Sequence, residues 1–259
     1  MKFGNESGAG LNVSKRIIVS MLAAAFFLFS ATGVFAHVRD YVWTEVYNTL
    51  PKGGFEIESW TTSKVPDINR SYENTFEYMG EIEYGVTDHL TIGHYQRWET
   101  DNVDGDDDTT NYTGFKFEAK YRFFEKGKKW VDPLIYLEWI TNPHNDDNPN
   151  KIEAKIVLSK DLGKFNISYN QIMESELGSG GRTEHNYQIA ANYEVFSSFR
   201  AGIELGGNYW HPSTHRNELF VGPTFAYEWK YFWIAAGIRW GVNHASDDLQ
   251  TRLIVGVPF

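Results

Sequence analysis

Serine stands near histidine twice in this sequence, in "HPSTH" (His211, Ser213, His215) and in "HASDD" (His244, Ser246, Asp247). A hydroxyl becomes a nucleophile only when a base is held within hydrogen-bond reach of it. Both pairs fall in polar stretches of loop composition, which do not fix that geometry, so the residues favour polar loop tips. A third stretch, "DNVDGDDDTTN", gathers Asp101, Asp104, Asp106, Asp107 and Asp108. Its spacing lacks the glycine at the sixth position and the bidentate glutamate at the twelfth that a calcium loop uses. A solvated loop is the favoured reading, with weak divalent-ion binding as the alternative. "GSGG" (Gly178 to Gly181) lacks the Lys-Ser/Thr of a phosphate loop and reads as a turn. Cysteine is absent, which removes disulfides, thiolate metal sites and cysteine nucleophiles. No catalytic residue, cofactor or resident metal is therefore expected.

The charges that recur at a fixed spacing point elsewhere. Glu81 and Glu83, then Lys116, Glu118, Lys120 and Arg122, then Glu153 and Lys155, then Arg200 and Glu204 stand at even separations, and Arg239 and Arg252 continue the pattern. Apolar residues fill the places between. In "GFKFEAKYRFF" Phe115, Phe117, Ala119, Tyr121 and Phe123 share one face, and in "FRAGIELGGNYW" so do Phe199, Ala201, Ile203, Leu205 and Tyr209. A period of two is the signature of strands. The pattern predicts twelve of them, over about 54–63, 72–85, 89–99, 112–124, 131–141, 150–159, 164–176, 184–196, 198–210, 216–229, 231–243 and 248–259.

The connections alternate in length. "VTDH", "DLGK", "SS" and "WKY" are tight, with "EKGKKW" somewhat longer. "SKVPDINR", "DNVDGDDDTTN", "PHNDDNPN", "LGSGGRTE", "HPSTHR" and "HASDD" are longer and polar. Short turns on one side and longer loops on the other belong to up-and-down barrels that cross a bacterial outer membrane. Ahead of the barrel, Lys15 and Arg16 precede an apolar run of 13 residues, "IIVSMLAAAFFLF", and then "VFA". That order is expected of a secretory signal peptide, and the run is too short to span a bilayer as a helix. The expected organisation is a signal peptide over 1–36, a lead-in segment over 37–53 that lies in the periplasm or plugs the lumen, and a barrel over 54–259. An even strand number puts both termini in the periplasm. A net charge of −10 supplies no basic stripe for nucleic acid.

Alternation alone does not orient the sheet, since a soluble barrel turns its apolar face inward and a membrane barrel turns it outward. Export, loop asymmetry and the aromatics near strand ends (Trp98, Trp139, Tyr209, Tyr227, Trp229, Trp240) favour the membrane. So does the last strand, "TRLIVGVPF", which stops on Phe259. A final strand with apolar residues alternating back from a terminal Phe resembles the C-terminal signal of bacterial outer-membrane β-barrel proteins. The resemblance implies that Phe259 is read by the barrel-assembly machinery and that the protein is integral to the outer membrane, against lipid and lipopolysaccharide. "NTLPKGGFEIE", "EYGVTDHLTIG" and "GPTFAY" are similar to the exported barrels of the phenol-degradation MetA-like, transporter-like group, which implies solute passage without naming a solute.

The expected fold is thus an all-β, antiparallel up-and-down transmembrane barrel. Its charged row (Glu81, Glu83, Lys116, Glu118, Lys120, Arg122, Glu153, Lys155, Arg200, Glu204, Arg239 and Arg252) is expected to line the lumen. Twelve strands enclose a backbone diameter of roughly 24 Å, narrowed by side chains to roughly 10 Å or less. That suits a narrow channel for small solutes. The alternatives are a structural or surface-interaction barrel with a plugged lumen and, less favoured, a membrane-embedded lipid-modifying enzyme.

Overall fold

The protein is described from a computed structural model over residues 39–103, 109–142, 149–178, 180–210 and 217–259. Twelve strands follow one another: β1 (Phe55–Val65), β2 (Asn74–Thr87), β3 (Leu90–Asn102), β4 (Thr109–Arg122), β5 (Asp132–Ile140), β6 (Lys151–Leu162), β7 (Phe165–Glu176), β8 (Thr183–Phe196), β9 (Phe199–Trp210), β10 (Leu219–Glu228), β11 (Trp233–Gly241) and β12 (Leu249–Pro258). Each pairs antiparallel with its neighbours in sequence. β1 pairs with β12, from Glu56 opposite Pro258 to Val65 opposite Leu249, and closes the barrel. Closure leaves no strand edge with unpaired backbone groups.

The twelve expected strands are all present, with shifted ends. β3 and β4 run on into polar sequence because Thr100 and Asp101 pair with Thr110 and Thr109. Thr75 Oγ1 also donates to Asp101 Oδ1 at 2.7 Å, which carries the β2–β3 ladder equally far. β11 begins later than the alternation suggests. Trp229 N–H donates to Phe232 O at 2.8 Å, so residues 229–232 close a turn.

Burial alternates along the strands in the sense opposite to that of a water-soluble protein. On β9 Ile203 is 54% exposed and Glu204 is 2% exposed. On β2 and β4 the exposed residues are Ile82, Tyr84, Phe117 and Tyr121, and the buried ones are Glu81, Glu83, Glu118 and Lys120. In a closed barrel the buried row faces the interior. Charges are therefore inside and an apolar belt is outside, as a lipid surround requires. Among the described residues no helix is long and apolar enough to cross a membrane; strands form the wall.

Candidate functional site

Residues 39–50 precede β1 and carry the irregular backbone of a strap. Tyr41, Val42, Tyr47 and Leu50 on it are almost wholly buried. A segment without a ladder must satisfy its backbone groups elsewhere, and here the buried row of the strands supplies the partners. Glu204 on β9 accepts from Val42 N–H at 2.8 Å, Trp43 N–H at 2.9 Å and Thr44 Oγ1 at 2.8 Å. On β7, Asn170 accepts from Glu45 N–H at 2.6 Å, and its Nδ2 donates to Glu45 O at 2.9 Å. Ser168 Oγ donates to the same carbonyl at 2.7 Å. Tyr41 OH reaches Asn166 at 2.9 Å, and Leu50 N–H donates to Thr91 Oγ1 on β3 at 2.8 Å. Arg252 Nη1 on β12 donates to Val42 O at 3.1 Å.

Apolar contacts complete the docking. Val42 and Trp43 pack with Trp60, Tyr95, Trp233, Ala235 and Ile254. Tyr47 packs with Leu134, Tyr136 and Val157, and Tyr41 and Val46 pack with Ala190. Gly237 makes room, because a side chain there would stand 2.5 Å from Val42 Cγ2 and 2.6 Å from Trp43 Cζ3. Arg239 lies 4.6 Å and Arg252 5.6 Å from the Trp43 ring centre, close enough for cation–π attraction. Arg39 pairs with Glu45 within the segment, and Asp40 pairs with Arg200 on the wall. Burial opposes the Glu45 charge, but Arg39, Lys120 and Lys155 outweigh it and hold this carboxyl well below the usual carboxylate range.

The charged residues singled out from the alternation fall into three groups and one outlier. Glu204, Arg200 and Arg252 contact the segment directly, and Arg239 flanks it while donating to Gln250 Oε1 at 2.6 Å. Lys116 pairs with Glu138 at 2.9 Å and Lys155 with Glu153 at 2.9 Å, forming a mesh around Tyr136. Lys120 lies 2.5 Å from Glu83 and 3.1 Å from Glu118, beside Glu81. Arg122 is separate: it donates to Asp88 O at 2.7 Å and pairs with Glu125 at 3.3 Å near the β2–β3 turn. The bases on β4 and β6 are thus largely neutralised in place. Phe259 follows directly on β12 and is half-buried.

The partners that the sequence reading missed are Asn166, Ser168, Asn170 and Thr91; the segment itself falls within the lead-in expected over 37–53, in the periplasm or plugging the lumen. The polar parity of these four along β7 and β3 was a signal, but nothing local tied it to residues more than 120 positions away for β7 and 41 away for Thr91. His211, Ser213 and His215 lie outside the described residues, as do Asp104, Asp106, Asp107 and Asp108. Ser246 Oγ accepts from Leu219 N–H at 2.9 Å and lies 3.1 Å from Leu219 O and 3.0 Å from Asn243 Oδ1, which makes it a loop tie.

No family model matches this sequence, and no curated protein does. Solved structures do. An outer membrane channel from Pseudomonas putida F1 superposes with a TM-score of 0.62 at 14% identity, over 84% of this chain and 100% of that one. The KdgM porin matches with a TM-score of 0.53 at 9% identity, over 79% of this chain and 99% of its own. The NanC porin gives 0.50 at 11%, over 79% and 98%. Likeness at such identities establishes a shared fold.

Proposed function

We propose that this chain is an integral outer-membrane protein that passes small solutes through a narrow lumen, with residues 39–50 forming the constriction. The observation that carries this reading is the pairing of an apolar belt outside with a charged, hydrogen-bonding interior. A barrel built only for strength would gain more from an apolar core, since buried ion pairs seldom stabilise more than well-packed hydrocarbon. The shared fold with a channel and two porins supports the same reading. Both termini are assigned to the periplasm, Phe259 to recognition by the barrel-assembly machinery, and the outer surface to lipid and lipopolysaccharide. The reading is non-catalytic.

We also assign the chain to the phenol-degradation MetA-like, transporter-like group. Two stretches that carry that resemblance, 48–58 and 83–93, meet in space. Gly53 N–H donates to Gly85 O at 2.7 Å, and Gly85 N–H donates to Gly54 O at 2.9 Å. In this chain the two stretches thus form one anchor where the segment joins β1.

A second reading has its own support. The segment makes enough buried hydrogen bonds to act as a permanent plug, which fits a structural or surface-interaction barrel. Liposome swelling separates the two. Purified protein should admit small neutral and cationic solutes, with a weak cation preference set by the excess of interior acids. Vesicles that never swell, for any small solute, would leave the plugged barrel as the account.

A further inference from the structure

The wall carries a group of buried carboxylates that the docked segment does not use. Across the β1–β2 ladder Glu56 stands opposite Glu83, and Glu58 opposite Glu81. Like charges set directly opposite repel. Glu118 arrives from β4 because Gly93 on β3 is the cross-strand neighbour of both Glu83 and Glu118. A side chain at Gly93 would lie 2.5 Å from Glu118 Cγ, so the glycine opens the space that Glu118 fills. One carboxylate oxygen from each of Glu81, Glu83 and Glu118 lies within 4.8 Å of the other two.

These groups are short of donors. Glu81 is 1% exposed, and neither of its oxygens has a hydrogen-bond partner. The same is true of Glu56 Oε1 and Glu58 Oε2. Lys120 on the wall and Arg39 on the segment bring two positive charges to five carboxylates. Charged oxygens buried without partners are strongly unfavourable unless something neutralises them.

We propose that Glu81, Glu83 and Glu118, with Glu58 beside them, bind a divalent cation of the calcium class. The donor set is all oxygen, which suits hard cations and not the soft metals that thiolates select. Calcium–oxygen distances of about 2.3–2.6 Å place ligands on opposite sides of the ion up to roughly 5 Å apart, which fits the spread of these oxygens. Tyr95 donates to Glu118 Oε2 at 2.7 Å, and the Tyr136 hydroxyl, shared with Glu138 Oε2 at 2.5 Å, lies 2.7 Å from the same oxygen, so both orient the ligand from behind. A small cavity lined by Glu58, Glu83, Thr91, Lys120, Arg39 and Leu50 lies beside these carboxylates, between wall and segment. The site stands whether or not the barrel conducts.

Terbium, a calcium stand-in that tyrosine sensitises, provides the test on the full exported chain in detergent after chelator treatment. The wild type should give saturable terbium luminescence that calcium displaces, and calcium should raise its unfolding temperature. Glu81→Gln should weaken binding by at least about tenfold while still migrating as a heat-modifiable folded barrel. A variant with Asp104, Asp106, Asp107 and Asp108 all changed to Asn should retain the displaceable signal. If Glu81→Gln does not fold, Glu58→Gln decides in its place, by the same weakening. No saturable signal and no calcium-dependent shift in the wild type would overturn the proposal and leave protons as the neutralising charge. So would unchanged binding in the folded Glu variant, or its loss in the loop variant.

Discussion

Glu204 holds the interior together at the residue scale. One carboxylate takes two backbone N–H groups and one hydroxyl from three successive residues of the segment. Removing it strands buried donors, at about 1–3 kcal/mol for each one left unsatisfied. The chain has no cysteine, so Val46→Cys provides a single reporter at a buried position of the segment. Thiol labelling of that reporter should be slow, and Glu204→Ala should speed it by orders of magnitude. Glu204→Gln, which keeps one acceptor oxygen, should fall between. Equal rates in all three would show that Glu204 does not anchor the segment. The same reporter reads pH. The Glu45 carboxyl is held below its ordinary range by Arg39, Lys120 and Lys155. A lowered folded value means that its contribution is fully present above the unfolded value of about 4.3 and is lost as pH falls through the folded one. Labelling is taken relative to that of the unfolded chain at the same pH, because the thiolate fraction itself falls with acid. On that scale it should therefore stay slow from neutrality down to about pH 4 and rise only in stronger acid. A rise already near pH 6 would assign release to another group.

At the scale of elements, strands were the most legible feature of the sequence. The Phe115/Phe117/Ala119/Tyr121 row and the Lys116/Glu118/Lys120/Arg122 row of β4 declare a two-faced strand without any structure. Strand ends were not legible, because residues such as Glu99–Asn102 pair through backbone and threonine bonds that leave no apolar trace. The two faces carry opposite predictions. Ile203→Arg places a charge in the apolar belt and should cost about 2–4 kcal/mol if it lies near the bilayer midplane. Its effect should appear as reduced folded barrel in membranes, with ion selectivity unchanged in whatever inserts. Phe259→Ser acts at a different step. A side chain at the interface contributes only about 1–3 kcal/mol, so the folded barrel should unfold at nearly the wild-type temperature. Its accumulation in the outer membrane should fall, because the terminal aromatic is the assigned assembly signal. Normal assembly of Phe259→Ser, followed by pulse labelling and heat-modifiable gels, would remove that role.

For the whole molecule, the closed barrel was readable because every strand obeys one rule, whereas the docked segment obeys none that sequence displays. Residues 39–50 have no period. Apart from Trp60 on nearby β1, their partners lie far along the chain on β3, β5, β6, β7, β8, β9, β11 and β12, so a local window contains few of the contacts. The charged interior was visible as parity, but its division into an acid group on β1, β2 and β4 and arginines on β9, β11 and β12 became clear only on closure. The lumen is proposed as a narrow path constricted by this segment. Single-channel recording in planar bilayers tests it most directly, comparing the exported chain with a variant lacking residues 39–50 whose folded state is verified by heat modifiability. Small, weakly cation-selective steps in the wild type and steps several-fold larger in the deletion are the expected result. A folded deletion variant that conducts no more than the wild type would contradict the account.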